Sequence, residues 1–362
     1  MQAILGVIYH SIGGFASGSF YMPYNKVRNW SWESMWIVGG LFSWLIVPPL
    51  AAFLTIPDFM EIISSASGHV LLITYLMGVL WGVGGLTYGL GVRYLGMSLG
   101  NSVLLGITAV FGALVPPIYY NIAGTEGRIT FTDMLASSGG QVVLLGTLVC
   151  IVGIAVCGWA GMRKDKELSA NSKDGTKGEF KIMTGLIICV ISGIMSAFFN
   201  YAIEAGKPMA EVAKAKHDIL FEGSSVLFQN NVIFVVILWG GLTTNLLWCM
   251  YLNFKNKSFG DYGNLKAPLV RNYLFAAMAG TTWFLQFFFY GMGESKLGNG
   301  ASSWILHMST IILTSNMWGF YRKEWKGVSK KTLTTIIVGV GIILLSVFVV
   351  AIGNSLSDGA TH

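Results

Sequence analysis

Two histidines stand inside long apolar stretches of this chain, His10 and His307, and no Asp or Glu sits in the middle of any such stretch. Histidine changes charge near neutral pH, so a partly wet imidazole within a membrane is a candidate proton carrier. The competing reading is a neutral ring hydrogen-bonded to a neighbouring helix. Four further ionisable residues lie near stretch ends: Glu33, Glu204, Lys207 and Glu294. Glu33 follows Ser31, a reasonable N-cap, so its carboxylate is either a first-turn partner of the helix dipole or a proton acceptor at the cytoplasmic edge. Glu204 and Lys207 are three apart and pair across one helical turn if the helix continues past Pro208. With Arg93 they are the candidate gating residues.

Uncharged polar and aromatic residues fall on single helical faces. Ser192, Ser196 and Asn200 repeat every four residues; Trp283, Gln286 and Tyr290 are spaced three and four; Ser303, Trp304, His307 and Thr310 follow a similar rule, and Trp81 and Tyr88 share another segment. Amides and hydroxyls meet the hydroxyls of a sugar while aromatic faces cover its C–H surfaces, and a polar minority in an apolar pocket is the usual form of a small-molecule site. Trp81, Tyr88, Asn200, Gln286, Tyr290 and Trp304 are therefore the candidate substrate-binding set. Interhelical hydrogen bonds and interfacial aromatic anchors are the alternative use of the same residues. Phosphate-loop, HExxH and GxSxG patterns are absent, as is any metal-ligand spacing, so the sequence predicts neither an enzyme nor a cofactor. Cys150, Cys157, Cys189 and Cys249 all lie in apolar stretches and read as packing residues.

The elements that must position these residues are membrane helices. Charged residues are 11% and hydrophobic residues 54% of the chain, against about 25% charged in soluble domains. About ten stretches are long enough to cross a bilayer: 4–24, 36–55, 70–91, 97–120, 141–161, 183–204, 225–252, 272–293, 301–320 and 333–353. The loops after the odd-numbered stretches hold 18 of the 23 Lys and Arg residues; the opposite loops hold Arg128, Lys207, Lys214, Lys216 and Lys296. Basic residues stay on the cytoplasmic side, which predicts both termini outside and a retained first helix rather than a cleaved signal peptide. The net charge of +6 follows this loop alternation instead of forming one basic face, so nucleic acid is not an expected partner.

A polar segment, 162–182, divides the chain into a first five-helix unit, 1–161, and a second, 183–362. The pattern W-x6-Y-G-x-G-x3-L-G occurs at Trp81 to Gly96 and again at Trp283 to Gly298, offset by 202 residues. Five helices is an odd number, so two copies must cross the membrane in opposite senses. Inverted repeats of this kind frame many secondary transporters, with substrate between the halves near the midplane. Five glycines between Gly82 and Gly91 mark the third helix as a candidate moving element.

Several segments together resemble the L-rhamnose–proton symporter family of the drug/metabolite transporter superfamily: Trp30-Ser31-Trp32-Glu33, Trp81-Gly82-x-Gly84 leading to Tyr88-Gly89-Leu90, Lys207-Pro208-Met209, Leu285-Gln286-Phe287-Phe288-Phe289-Tyr290, and Ser303-Trp304-x-Leu306-His307-Met308-Ser309. They occur in family order across nearly the whole chain, and His10 and His307 also fall where that family places histidines. The resemblance implies a multi-pass protein of the bacterial inner membrane that imports L-rhamnose, or a related monosaccharide, with protons by alternating access. Composition and spacing alone reach a carrier of polar solutes. A sodium-coupled carrier, or a metabolite exporter or exchanger of the same superfamily, stays open on sequence.

Overall fold

The computed structural model describes residues 2–358 apart from 96, 125–127, 172–181, 322 and 324. Among these residues the chain forms ten long helices and no strand. They are α1 (Gln2–Ser19), α2 (Trp32–Thr55), α3 (Gly68–Leu95), α4 (Met97–Ala123), α5 (Ser138–Asn171), α6 (Ile182–Lys214), α7 (Asn231–Asn256), α8 (Leu269–Leu297), α9 (Gly300–Tyr321) and α10 (Lys330–Asp358). Helices suit a chain this apolar because lipid offers no partner for a lone spanning backbone.

Eight of the ten are long and apolar enough to cross a membrane. The two that fall short, α8 and α9, carry polar faces found in the sequence; α9 and the second half of α8 sit inside the bundle, while the start of α8 exposes Val270, Leu274 and Met278. Every residue from Ala301 to Ile312 in α9 is buried. A helix wrapped by other helices need not be apolar all round, which is why hydropathy is weakest at the centre of the fold.

Two boundaries differ from the sequence reading. Helix α5 continues to Asn171, so the expected linker at 162–182 is helical over its first ten residues. The rest of that linker, 172–181, lies outside the described residues, as does the side chain of Arg93. Helix α6 runs straight through Pro208 to Lys214.

Helix α2 changes character midway. Residues Leu41–Ile46 form a π-helical segment, in which the Val47 N–H donates to the Phe42 carbonyl five residues back. Pro48 and Pro49 follow directly and supply no backbone N–H, so the ordinary ladder cannot continue across this point. A π-turn widens the helix and is frequent at functional sites.

Helix α1 packs on α8 and α9, and α6 packs on α3 and α4. Helix α2 lies on α8, α7 lies on α3, and α4 meets α9 between the two groups. Helices α5 and α10 pack antiparallel along a seam of their own. Gly146 faces Val350, Gly153 faces Ile343, Gly339 faces Cys157 and Gly353 faces Val143. These positions step by three, seven and four residues along α5 and by four, seven and three along α10, so each set keeps to one helical face, and the small residues let the backbones close up.

Candidate functional site

Helix α8 supplies the axis of the site. Gly280, Trp283, Phe287, Tyr290 and Glu294 stand on successive turns of one face, because three- and four-residue steps return to the same side of a helix. Each turn meets a different layer of the bundle.

At the Glu294 level lies a charge cluster, buried at Glu294 and partly exposed at Lys207 and Glu204. The Lys207 ammonium stands 3.1 Å from Glu204 Oε1 and 3.1 Å from Glu294 Oε1. The other Glu204 oxygen accepts from the Tyr120 hydroxyl at 2.8 Å, with an Arg128 nitrogen at 3.9 Å. The other Glu294 oxygen accepts from the Asn230 amide. Both carboxylates are thus satisfied on both oxygens, a condition for a stable buried ion pair. The Glu204–Lys207 pairing predicted from spacing is formed, since α6 continues past Pro208. Glu294, Tyr120 and Asn230 complete it from three other elements.

One turn along, Tyr290 and the two histidines form a triangle of rings. Its ring centroid is 5.3 Å from His10 and 5.2 Å from His307, and the imidazoles are 5.9 Å apart. The Tyr290 hydroxyl donates to Asn200 Oδ1 at 3.3 Å, and the Asn200 amide donates to the Gly112 carbonyl. Trp304 closes the layer, 6.0 Å from Tyr290, with its indole N–H on the Thr108 carbonyl. Both histidines are fully buried, and among the described residues none of their four ring nitrogens has a hydrogen-bond partner. Full burial departs from the partly wet imidazole expected of a proton carrier, and the missing partner departs from the hydrogen-bonded neutral ring weighed against it. Gly293 and Gly13 make room for these rings; a methyl at Gly293 would stand 2.7 Å from His10 Nε2.

The next layer is aromatic. Trp81 of α3 faces Trp283 of α8 at 5.5 Å, and Phe199 and Phe287 stack at 4.2 Å beside them. Beyond it, a small recess with room for about one water lies among Phe20, Tyr24, Trp36, Trp44 and Trp283. The far end is closed by hydrogen bonds. Glu33 Oε1 accepts from Ser258 at 2.6 Å and Asn256 at 3.0 Å, and Asp261 Oδ2 accepts from the Ser31 N–H and the Ser34 hydroxyl at 2.7 and 2.8 Å.

The structure brings together His10, His307, Tyr290, Asn200 and Trp304, and links Trp81 to them through Phe199, which stacks on Trp304. It does not gather the rest. Glu33 lies at the opposite end of the bundle from the charge cluster. Gln286 donates to the carbonyl of Trp283 in its own helix. Tyr88 belongs to a separate apolar cluster with Leu104 and Cys189. Trp36, Trp44 and Phe20 were not singled out for the site from sequence; the one signal that could have flagged them is the pair of prolines after Trp44, which forces the helix to change form.

A column of this kind, with a charge cluster at one end and amide, hydroxyl, imidazole and indole groups in its middle, suits a small polyhydroxylated solute moving with a proton. Comparison with known proteins agrees. The protein-family profile described as L-rhamnose-proton symport protein (RhaT) matches residues 1–356. The L-rhamnose-proton symporters of Yersinia pestis (strain Pestoides F) and Yersinia pseudotuberculosis serotype IB (strain PB1/+) are each 38% identical over 355 residues, covering 97% of this chain and 98% of theirs.

Proposed function

The chain belongs to the L-rhamnose-proton symport protein family, and from that premise we propose that it imports L-rhamnose with protons across a bacterial inner membrane. The full-length family match carries this reading, and the buried, polar-lined column gives it a physical route.

The transport frame is two five-helix units, 1–161 and 183–362, joined by 162–182, inverted with respect to each other and with both termini outside. Helices α8 and α9 complete ten crossings; even the 22-residue α9 is about 33 Å long at ~1.5 Å per residue, enough for a hydrocarbon core of about 30 Å. Close contacts support the inversion. Adding 179 to α1 positions and subtracting 202 from α8 or α9 positions maps one set of contacts onto another. Gly293 against His10 becomes Gly91 against Cys189. Gly13 against the Gln286 carbonyl becomes Ser192 bonded to the Gly84 carbonyl. Gly14 against Thr310 becomes Gly193 accepting from Thr108. Trp81 and Trp283, equivalent by the same offset, touch each other, as residues beside a two-fold axis do.

In this frame the Lys207 cluster is the outer gate, closed here, and Arg93 belongs to the cytoplasmic side. Sugar passes the layer of Asn200, Tyr290, Trp304 and Trp81, with Gln286 and Tyr88 on flanking turns. His10 and His307 are the proton-coupling pair, with Glu33 an acceptor at the cytoplasmic edge. Two imidazoles at 5.9 Å repel when both are charged, so the pair suits one proton at a time. Binding a proton there when the outer gate is open gives one bare nitrogen a hydrogen, which sugar or Tyr290 can then accept.

The test is external pH during sugar addition to energy-depleted cells, with L-rhamnose compared against L-fucose and L-lyxose. Alkalinisation with L-rhamnose is the expected result; silence with protein present in the membrane would overturn the reading. Proton-driven accumulation that survives a His10→Gln, His307→Gln double variant would remove the histidines from the mechanism.

A further inference from the structure

We infer that Ser303 relays the proton between the outer carboxylate cluster and His307. The inference rests on the transport reading above and adds to it one residue with a stated chemical step.

Helix α9 sets the parts of this line on one face. Gly300, Ser303, His307 and Thr310 are spaced three, four and three, so they share a side of the helix. A methyl on Gly300 would stand 2.7 Å from Glu204 Oε1 and 3.9 Å from Glu294 Oε1, so the outer turn of this face abuts both carboxylates. Two turns on stands His307, with His10 at 5.9 Å. Ser303 occupies the turn between. Residues four apart on a helix have Cβ atoms about 5–6 Å from each other, a span that a serine hydroxyl and an imidazole nitrogen can close to hydrogen-bond length. From the other elements, Lys207 and Tyr120 face the carboxylates with Arg128 behind, and Tyr290 faces the histidines.

Ser303 is fully buried, and among the described residues its hydroxyl has no partner. A serine or threonine inside a helix often turns its hydroxyl back onto a carbonyl one turn earlier. Thr310 and Thr314 of α9 do so, and Ser309 meets Cys150 at 3.1 Å. The hydroxyls beyond His307 are thus occupied, whereas those between the gate and His307 are not. Ten buried side-chain nitrogen and oxygen atoms lack a partner among the described residues, and six of them belong to His10, Ser302, Ser303 and His307. Such atoms are costly to leave unmade, and their gathering in one place points to groups that find partners in another state of the carrier.

A hydroxyl both donates and accepts, so it can take one proton as it gives another. As the outer gate opens, a carboxyl of the cluster, protonated from outside, gives its proton to Ser303 Oγ while the Ser303 proton passes to a His307 nitrogen. The carboxyl becomes a carboxylate, the imidazole becomes an imidazolium, and the hydroxyl is restored. With the gate closed, Lys207 holds both carboxylates and the hydroxyl stands idle, which keeps the loaded proton from returning.

The repeat supplies a control within the molecule. By the offsets used above, Tyr290, Glu294 and His307 correspond to Tyr88, Val92 and Leu105, and His10 corresponds to Cys189. Tyr88, Leu105 and Cys189 fall together in one apolar cluster. Ser303 corresponds to Asn101, an amide, which does not pass protons as a hydroxyl does. The copy keeps the tyrosine and loses both imidazoles and the carboxylate. The line is therefore no packing requirement of the repeat.

The experiment compares two rates for wild type, Ser303→Ala, Ser303→Thr and Ser302→Ala. One is external alkalinisation when L-rhamnose is added to energy-depleted cells. The other is exchange of labelled for unlabelled L-rhamnose across vesicles at equal concentration and pH, which needs no net proton release. Ser303→Ala is expected to slow alkalinisation about tenfold, to slow further in heavy water than wild type does, and to exchange within twofold of wild type. Ser303→Thr keeps the hydroxyl and should restore alkalinisation. Ser302→Ala, equally buried on the neighbouring side of the helix, should change neither rate. Alkalinisation by Ser303→Ala within twofold of wild type, an equal fall in both its rates, or an isotope effect no larger than that of wild type overturns the inference. So does an equal loss in Ser302→Ala, or a threonine variant that exchanges normally yet stays as slow as the alanine one. A wild type that responds to L-rhamnose in neither assay overturns the transport reading itself.

Discussion

Carboxylates close both ends of the bundle, but with opposite partners. At one end Glu204 and Glu294 share the Lys207 ammonium, with Arg128 behind. At the other end Glu33 and Asp261 accept only from hydroxyls, an amide and a backbone N–H, and among the described residues no cation stands within ion-pair distance of either. The first closure is a balance of charges, so adding or removing one proton unbalances it. The second depends on acceptor geometry, which a neutral oxygen can reproduce. In the orientation proposed above, the charge-sensitive closure lies on the side from which protons arrive.

This contrast can be broken or sharpened by four measurements. The largest effect belongs to Lys207→Met, which leaves two carboxylates facing each other in a partly buried site. Losing one partner of a fully buried ion pair costs about 3–5 kcal/mol; with Lys207 22% exposed the loss is smaller, and the melting temperature of the purified protein should fall by a few degrees. Adding Glu204→Gln and Glu294→Gln to that variant should recover most of the loss; a triple variant as unstable as the single one would mean that packing, not charge, holds this end. Next comes Glu294→Gln alone, at about 1–3 kcal/mol. It should also open the gate more often. Ser302 is fully buried two residues from Gly300, which backs onto Glu204, and a Ser302→Cys thiol should be alkylated faster when Glu294 is Gln.

At the opposite end Glu33→Gln should cost less than about 1 kcal/mol, because the amide oxygen can still accept from Ser258 and Asn256. A loss as large as that of Lys207→Met would erase the distinction between the ends. The smallest effect is at Asp218, an exposed loop residue whose carboxylate accepts from the Gly223 and Ser225 N–H groups at 2.8 Å each. Those backbone donors hold its pKa down at about 2, against about 3.9 in an unfolded chain. Its contribution is therefore complete above about pH 4 and is lost only as pH falls through about 2. Asp218→Asn should leave the pH profile of transport unchanged between pH 5 and 8. A shifted profile would put an exposed loop carboxylate, rather than the buried groups, in control of the proton response.

The sequence carried the helices and much of the site, and the limits of that reading are physical. Basic residues alternate between loops and apolar runs have membrane length, so the long helices were legible. Face periodicity singled out Tyr290, Asn200, Trp304 and His307, which the fold brings together, because residues three and four apart share a side. Periodicity says nothing about which faces meet. That Glu294 joins a lysine 87 positions earlier, or that His10 meets His307, depends on how helices pack. Gln286 shows the converse limit: its type and spacing fit a ligand-binding role, but they do not foretell that its amide also donates to its own helix. Trp44 was hidden for another reason. Its place depends on a π-turn, and a π-turn leaves only a faint trace in composition, here the two prolines that follow.

The seam between α5 and α10 has a consequence for how such a chain can be assembled. One member comes from the first half of the sequence and the other from the second, and their glycines, cysteines and β-branched residues alternate in register over Val143 to Cys157 and Gly339 to Gly353. It is a ready-made dimerisation surface within a single polypeptide. Cut between α5 and α6 and made as two fragments, the protein carries in this pair the means to find its other half.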